Sequence, residues 1–242
     1  MASESRTIRP ITLALFFFLL VVAGLYFYLT LSAPAQGAAA TLPRLTGRLV
    51  DRPTFLAYVP EGWKSDHRSP LVFALSPGGD AAGALYAWAA VADRHQWVVA
   101  ASREFRNGQP FGPSLEHLDA ELTAIEAEFA VDPHKVIITG LSGGAMGSHA
   151  YAKFHPDRVR AVVPNTGMMS APFMTADYPE GKLAVFLASP TDFRYGEMKR
   201  DFAFLESHHW KLQWYEFAGG HRLAPQETYE AAAAWLEEQL RD

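Results

Sequence analysis

Short apolar runs alternate with helical stretches along most of the sequence, and this alternation limits the folds that the chain can adopt. Runs such as residues 70–76 (PLVFALS) and 135–140 (KVIITG) are apolar at nearly every position, so both of their sides must be buried. Parallel sheets meet that requirement because their crossover connections place helices on both faces. The pattern therefore predicts an α/β fold with a mostly parallel sheet and helices on both faces.

The individual runs give the order of the expected elements. Residues 44–50 and 54–60 predict an opening hairpin. Further strands are expected at 70–76, 97–102, 135–140, 159–167, 182–189 and 212–217. Helices are expected at 82–96, 114–130, 144–156, 196–209 and 225–240. Because the carboxyl ends of parallel strands meet at one edge of a sheet, the loops that follow these strands are expected to form the ligand site.

The N-terminal region differs in composition from the rest of the chain. Residues 11–31 contain no charged side chain, and this run of 21 residues, at about 1.5 Å per residue, would span the roughly 30 Å hydrocarbon core of a bilayer. Arg6 and Arg9 precede the run, and the next basic residue is Arg44. This asymmetry predicts that residues 1–10 stay in the cytoplasm and that the remainder is exported.

Two interpretations of residues 11–31 place the remainder outside the cytoplasm, for example in the periplasm. The run is longer than a usual signal-peptide core, which favours an uncleaved transmembrane signal anchor. The A-x-A pattern at residues 33–35 favours cleavage and secretion instead. A buried core helix of a soluble domain is the third interpretation. In each case residues 32–43 read as an alanine- and proline-rich linker, and residues 44–242 form one domain.

The composition excludes several classes of function. The chain has no cysteine, which excludes disulfides, thiolate metal sites and cysteine nucleophiles. The net charge is -5 and the 21 lysines and arginines are scattered along the chain, so we expect no nucleic-acid partner. No metal and no other cofactor is expected. The oligomeric state is left open by the sequence.

Ser142 lies in the stretch Gly140-Leu141-Ser142-Gly143-Gly144, after a run rich in β-branched residues and before an alanine-rich helix. This strand–turn–helix setting is typical of a nucleophile elbow. Gly140 and Gly144 would relieve collisions of the sharp turn with the strand and the helix, and the Gly143 N–H would face a developing oxyanion. We therefore interpret Ser142 as a nucleophile. A phosphate-binding glycine turn is the alternative, although the Lys-Ser/Thr pair of a P-loop is absent.

A serine nucleophile needs a base and an orienting acid, which follow it in the chain as acid and then histidine. His221 comes after the strand expected at 212–217 and before the last helix, so we predict that it is the base rather than a surface histidine. Asp192 follows the strand expected at 182–189 and is the predicted acid, with an Asx turn or a helix cap as its structural alternative. Asp177 is the reserve. The other histidines after Ser142 are expected on helices: His149, His155, His208 and His209.

Together these segments resemble the α/β-hydrolase superfamily, and in particular the small esterases related to polyhydroxybutyrate depolymerases and feruloyl esterases. The similar segments are residues 70–102, 131–167 and 217–221. The resemblance implies an α/β-hydrolase fold after the N-terminal transmembrane or signal helix. It also implies that Ser142, Asp192 and His221 form a catalytic triad that hydrolyses carboxylic esters through an acyl-enzyme.

The loop after the third expected strand departs from that family. Its members usually carry a His-Gly dipeptide there, whereas this sequence has Ser76-Pro77 followed by Gly78 and Gly79. Pro77 has no N–H to donate. The resemblance therefore assigns the second oxyanion N–H, beside that of Gly143, to Gly78, with Gly79 as the alternative.

The expected function is that of a serine esterase acting on a small-molecule or polymeric ester. No large lid is expected, because only about eighteen residues separate the strand ending near Pro164 from the next strand. Met168, Met169 and Phe173 are expected to line an apolar acyl pocket, unless they belong to the core. Two alternatives stay open: a non-catalytic binding or envelope module with this fold, and a peptidase or thioesterase with the same triad.

Overall fold

The computed structural model describes residues 45–241. The strands in this region are β1 (Arg48–Asp51), β2 (Phe55–Val59), β3 (Ser69–Leu75), β4 (Val98–Ser102), β5 (Val131–Leu141), β6 (Ala161–Asn165), β7 (Leu183–Ala188) and β8 (Lys211–Glu216). The α-helices are α1 (Ala81–His95), α2 (Phe111–Glu128), α3 (Gly143–Phe154), α4 (Tyr195–Ser207) and α5 (Gln226–Gln239). Short 3₁₀ helices cover Pro156–Arg158 and Ala171–Phe173.

The predicted N-terminal flank, span and linker, residues 1–43, lie outside the described residues, so their assignment stays a prediction. Among residues 45–241, no helix combines the length and the apolar character needed to cross a bilayer.

The eight strands form one sheet in the order β1-β2-β4-β3-β5-β6-β7-β8. The opening hairpin of β1 and β2 is antiparallel, and β2 pairs antiparallel with β4. All the remaining pairs are parallel. The mostly parallel sheet that the apolar runs predict is therefore confirmed, and β5, the strand that leads to Ser142, lies inside it between β3 and β6.

The two faces of the sheet are covered by different helices. Side chains alternate along β3, so that Leu71, Phe73 and Leu75 pack with α2, α3 and α4, whereas Val72 and Ala74 pack with α1 and α5. This period of two is the reason why a continuously apolar strand needs helices on both sides. Helices on both faces are thus confirmed as well.

The ends of α1 show how local sequence sets an element. Asp80 caps its N-terminus, since the Asp80 carboxylate accepts a hydrogen bond from the Gly83 N–H at 2.9 Å. Gln96 ends the helix in the left-handed region, with φ of 57°. The chain then turns directly into β4.

Several boundaries differ from the expected ones. Helix α2 begins at Phe111, three residues before the expected start, and β5 begins at Val131 rather than at residue 135. The early start of β5 comes from one bridge, Ser69 to Val131, which a register shift separates from the main ladder. Between β6 and β7 the described chain contains one short 3₁₀ helix, in agreement with the expected lack of a large lid.

Candidate active site

Ser142 lies at the turn between β5 and α3 with φ of 55° and ψ of -115°. A positive φ is uncommon for a residue with a side chain and marks a strained position that its surroundings hold in place. The Ser142 N–H donates to the carbonyl of Asn165 at 3.0 Å. The Ser142 carbonyl accepts from the N–H groups of Ala145 and Met146 at 3.0 and 3.2 Å. These three bonds fix the conformation of the turn.

The glycines around Ser142 are required by close approaches of the backbone. A Cβ atom at residue 140 would lie 2.5 Å from the carbonyl carbon of Gly144. A Cβ atom at residue 144 would lie 2.2 Å from the carbonyl oxygen of Leu75 on β3. The collisions predicted for Gly140 and Gly144 are therefore confirmed.

Gly143 has a neighbour that the sequence does not reveal. A Cβ atom at residue 143 would lie 1.8 Å from Oδ1 of Asn107, in the loop after β4. The Asn107 N–H donates in turn to the carbonyl of Pro77 at 2.9 Å. The Asn107 side chain thus lies directly against the first residue of α3, while its backbone is bonded to the loop after β3.

The histidine and the carboxylate predicted from the chain order meet in the structure. His221 Nδ1 lies 2.7 Å from Asp192 Oδ2. The Asp192 side chain is fully buried, whereas 28% of the His221 side chain is exposed. The second carboxylate oxygen of Asp192 accepts the Arg194 N–H at 2.6 Å. Asp192 is therefore oriented from both sides, and the histidine ring it holds still reaches the surface.

Phe193 packs against the histidine from the solvent side. The centroids of the Phe193 and His221 rings are 4.5 Å apart, and Phe193 is 67% exposed. An apolar ring exposed to solvent beside a histidine of the candidate site offers a contact surface for an apolar part of a ligand.

Asn165, at the end of β6, connects the histidine loop to the serine turn. Its carbonyl receives the Ser142 N–H, and its side-chain amide donates to the carbonyl of Arg222 at 3.0 Å. Its Oδ1 accepts from the Ala224 N–H at 2.8 Å and from the Tyr229 hydroxyl at 2.7 Å. The residue after His221 is thus tied through one buried side chain to the residue that bonds Ser142. Sequence reasoning missed Asn165, although a polar residue ending an apolar strand was a usable signal.

Among the described residues, Ser142 and His221 form no direct hydrogen bond. The His221 ring is hydrogen-bonded there only to Asp192. Catalytic hydrogen bonds are often long without a ligand and shorten when substrate binds. The structure therefore brings His221 to Asp192 and brings the His221 loop to the Ser142 turn through Asn165.

The reserve acid and the other histidines have separate roles. Asp177 bonds the Thr175 hydroxyl and the Lys153 ammonium, and these contacts lower the pKa of Asp177 to about 2. His149 is fully buried beside Tyr178, with Nδ1 3.3 Å from the hydroxyl, and burial lowers its pKa to about 3. His208 binds the carbonyl of Phe204 at 2.9 Å near the end of α4.

A groove with a volume of about 540 Å³ contains Ser142 and Gly143. Its remaining walls come from residues 105–111, Ser114, Met146, Gly167, Met168 and Arg194. This size suits a small-molecule ligand, since such sites usually measure about 300–1,000 Å³.

The predicted acyl pocket is only partly present in this groove. Met168 lines it, as expected. Met169 does not, because it is fully buried and its N–H donates to the Asp201 carboxylate at 2.5 Å. Phe173 does not line the groove either, although its ring centroid lies 4.9 Å from that of Phe111, which does. The apolar wall of this groove consists of Phe111, Met146 and Met168, and Met169 has the core position that the sequence left open as its alternative.

The two glycines of the loop after β3 differ in the use of their N–H groups. The Gly79 N–H donates to the Ser76 carbonyl at 3.2 Å, which closes a turn. Gly78 is exposed, and among the described residues its N–H has no hydrogen-bond partner. Gly78 does not line the groove, however, whereas Gly143 and Asn107 do.

The sequence matches no protein-family model and no curated protein. Solved structures do match. One is a thermostable esterase, with a TM-score of 0.61 and 20% identity over 81% of this chain and 63% of that one. The chain thus spans less than two thirds of that esterase.

This chain covers almost the full length of two further matching structures. A carboxylesterase from Mesorhizobium loti has a TM-score of 0.61 and 15% identity over 79% of this chain and 98% of that one. The fluorophosphonate-binding serine hydrolase F of Staphylococcus aureus, solved with substrate bound, has a TM-score of 0.60 and 13% identity over 78% of this chain and 96% of that one. Residues 45–241 therefore have the α/β-hydrolase fold.

Proposed function

We propose that the protein is a serine hydrolase that cleaves carboxylic esters, with Ser142 as nucleophile, His221 as base and Asp192 as orienting acid. The observation that carries the proposal is the 2.7 Å contact between His221 and the fully buried side chain of Asp192. The loop that contains His221 is linked through Asn165 to the strained turn at Ser142. A fold of this kind hosts many functions, and it is these side chains that distinguish a serine hydrolase from the others.

The chemistry follows from the contacts of each group. Ser142 Oγ attacks the ester carbonyl while Nε2 of His221 takes the hydroxyl proton. The imidazolium that forms keeps its Nδ1–H bonded to Asp192, which fixes the tautomer and balances the charge. His221 then returns the proton to the leaving alcohol, and water activated by the same histidine hydrolyses the acyl-enzyme.

The developing oxyanion is stabilised by backbone N–H groups. Gly143 supplies the first, because it opens α3 and lines the groove. Gly78 is the proposed second donor, supported by an N–H without a hydrogen-bond partner among the described residues. The Asn107 side chain is the competing donor, since it borders the groove against Gly143.

We further propose that residues 11–31 anchor the protein in a membrane or direct its secretion, so that residues 44–242 act on the extracytoplasmic side. The support is the uncharged run and the basic residues that precede it, Arg6 and Arg9.

A substrate panel tests the reaction class. Full-length protein in detergent is assayed with p-nitrophenyl esters of increasing chain length, with a matched thioester and with a peptide anilide. We expect hydrolysis of the esters. The largest kcat/KM is expected for acyl chains whose length lets them pack against Phe111, Met146 and Met168 in the groove. A larger kcat/KM for the thioester or the anilide would change the reaction class, and no turnover of any compound would favour a non-catalytic module.

A further inference from the structure

The groove beside Ser142 has an unusual charge for this chain. The protein carries a net charge of -5, yet the fourteen residues that line the groove include two arginines and no carboxylate. A cationic wall in an acidic protein favours a ligand of negative charge.

Arg194, one of the two arginines, is already neutralised within the protein. Its Nη1 lies 2.8 Å from Oε1 of Glu197. The same nitrogen is 3.8 Å from the sulfur of Met168, and the guanidinium lies 5.0 Å from the Phe193 ring centroid. Arg194 therefore contributes a fixed wall with little net charge.

Arg106 is different. Among residues 45–241, no carboxylate lies within 4.0 Å of its guanidinium, and its only hydrogen bond there is from its backbone N–H to Gln109 at 3.1 Å. The guanidinium packs over Gly79, where a Cβ atom would lie 3.1 Å from Nε and 3.5 Å from Cζ. The exposed guanidinium therefore lies against the loop after β3, beside the groove that Arg106 helps to line, and its N–H donors make no hydrogen bond to the described residues.

We propose that Arg106 binds a carboxylate of the substrate, so that the preferred substrates are esters whose acyl or alcohol part also carries a carboxylate. The inference rests on the proposed function and adds a substrate class to it. The single positive charge of a guanidinium without a carboxylate partner in the described residues balances one negative charge on a ligand. Its planar N–H donors fit the two oxygens of a carboxylate. The apolar side chains of Phe111, Met146 and Met168 provide room for a short apolar spacer between the carboxylate and the ester.

Two matched pairs of esters test this inference in a pH-stat with full-length protein. Monomethyl adipate is compared with methyl hexanoate, which places the carboxylate on the acyl side. 4-Acetoxybutyrate is compared with butyl acetate, which places it on the alcohol side. In at least one pair, Arg106→Gln is expected to lower the ratio of kcat/KM for the charged ester to that for the neutral ester by about tenfold.

Controls separate this effect from a general loss of charge or of structure. Arg48→Gln removes the same charge from an exposed arginine on β1, outside the groove, and the ratio is expected to stay as in the wild type. Arg106→Lys keeps the charge without the planar geometry and is expected to give an intermediate ratio. The loss in Arg106→Gln is expected in KM, because it removes a contact present before the reaction, and raised salt is expected to reduce the wild-type ratio.

The outcomes distinguish the inference from the proposed function. Equal ratios in the wild type and in Arg106→Gln, with the neutral esters still hydrolysed, would overturn the carboxylate site and leave the esterase proposal standing. If the wild type hydrolyses p-nitrophenyl esters but none of these four esters, the carboxylate site alone is overturned; if it hydrolyses neither group, both proposals fail together.

Discussion

Asp192 shows at the scale of single residues how the site depends on orientation. One of its carboxylate oxygens holds the His221 ring and the other accepts the Arg194 N–H. The Asp192 side chain is fully buried, so the carboxylate is held without competition from water. An acid in this position fixes the tautomer in which Nε2 faces the serine.

Asp192→Asn is expected to lower kcat with p-nitrophenyl esters by about 10³–10⁴-fold, because an amide does not fix that tautomer. The variant keeps the volume and most of the bonding, so its thermal unfolding should stay close to that of the wild type. Asp177→Asn is the matched control, since Asp177 bonds Lys153 and Thr175 instead. A large loss in Asp177→Asn with none in Asp192→Asn would reverse the assignment of the acid.

Glu121, on α2, is a buried acid that the proposed reaction does not use. It is 3% exposed, and its two carboxylate oxygens have no hydrogen-bond partner among the described residues. Burial raises its pKa from 4.5 to about 7. The nearby Ser102 hydroxyl opposes this shift only in part, because it makes no well-formed hydrogen bond to the carboxylate.

The raised pKa predicts a pH-dependent stability. Between pH 4.5 and about 7 the folded protein retains a proton on Glu121 that the unfolded chain releases, so the free energy of unfolding should fall as pH rises through this window. Glu121→Gln should remove that slope and be more stable than the wild type at pH 8 by on the order of 2 kcal/mol. Urea unfolding at pH 5 and pH 8 measures the free energy of unfolding of each variant. Glu116→Gln, at an exposed position on the same helix, is the control. An equal slope in wild type and Glu121→Gln would contradict the burial argument.

At the scale of elements, the sequence predicts most of the fold. Apolar runs and helical spacing identify the eight strands and five α-helices of residues 45–241, because each buried face needs apolar side chains at a fixed period. The positions of Asp192 and His221 follow from the strands that precede them. The predicted starts of α2 and β5 were wrong. For β5 the reason is that a single bridge, such as Ser69 to Val131, leaves no periodic trace in the sequence.

The residues that sequence reasoning missed act through contacts between distant segments. Asn165 bonds Arg222, 57 residues away, and the Asn107 side chain lies against Gly143. Arg106, in the loop after β4, packs over Gly79, in the loop after β3. Such contacts depend on how loops from neighbouring strands meet at the sheet edge, and no local pattern records them. The core position of Met169 has the same origin, because the partner of its N–H, Asp201, lies on α4.

The loop after β3 gives a prediction at this scale. If Gly78 donates the second oxyanion bond, Gly78→Pro removes its N–H and should lower kcat by about 10²–10³-fold. Gly78→Ala is the matched control, because it keeps the N–H and no atom lies within 4 Å of the added Cβ. Gly79 is unsuitable for a proline, since its φ is 75°.

Asn107→Leu completes that comparison by removing the competing side-chain donor. We expect a smaller loss in kcat than in Gly78→Pro. The opposite order, with Asn107→Leu the more damaging change, would assign the second donor to the Asn107 amide.

At the scale of the whole molecule, the proposed anchor at residues 11–31 predicts where residues 44–242 act. The uncharged residues 11–31, preceded by Arg6 and Arg9, predict that the full-length protein sediments with membranes and that its N-terminus stays in the cytoplasm. Fractionation followed by N-terminal sequencing of the mature protein measures both. A mature protein that starts at Gln36 and remains in the soluble fraction would show cleavage and contradict the anchor.

The proposed mechanism requires that His221 activates Ser142 as a nucleophile. Labelling with a fluorophosphonate tests this requirement, since the probe reacts only with activated serines. We predict that the full-length wild type is labelled and hydrolyses p-nitrophenyl esters, and that Ser142→Ala loses the label and nearly all turnover while it unfolds at the temperature of the wild type. Undiminished labelling or turnover in Ser142→Ala, or no labelling of the folded wild type, would contradict the mechanism.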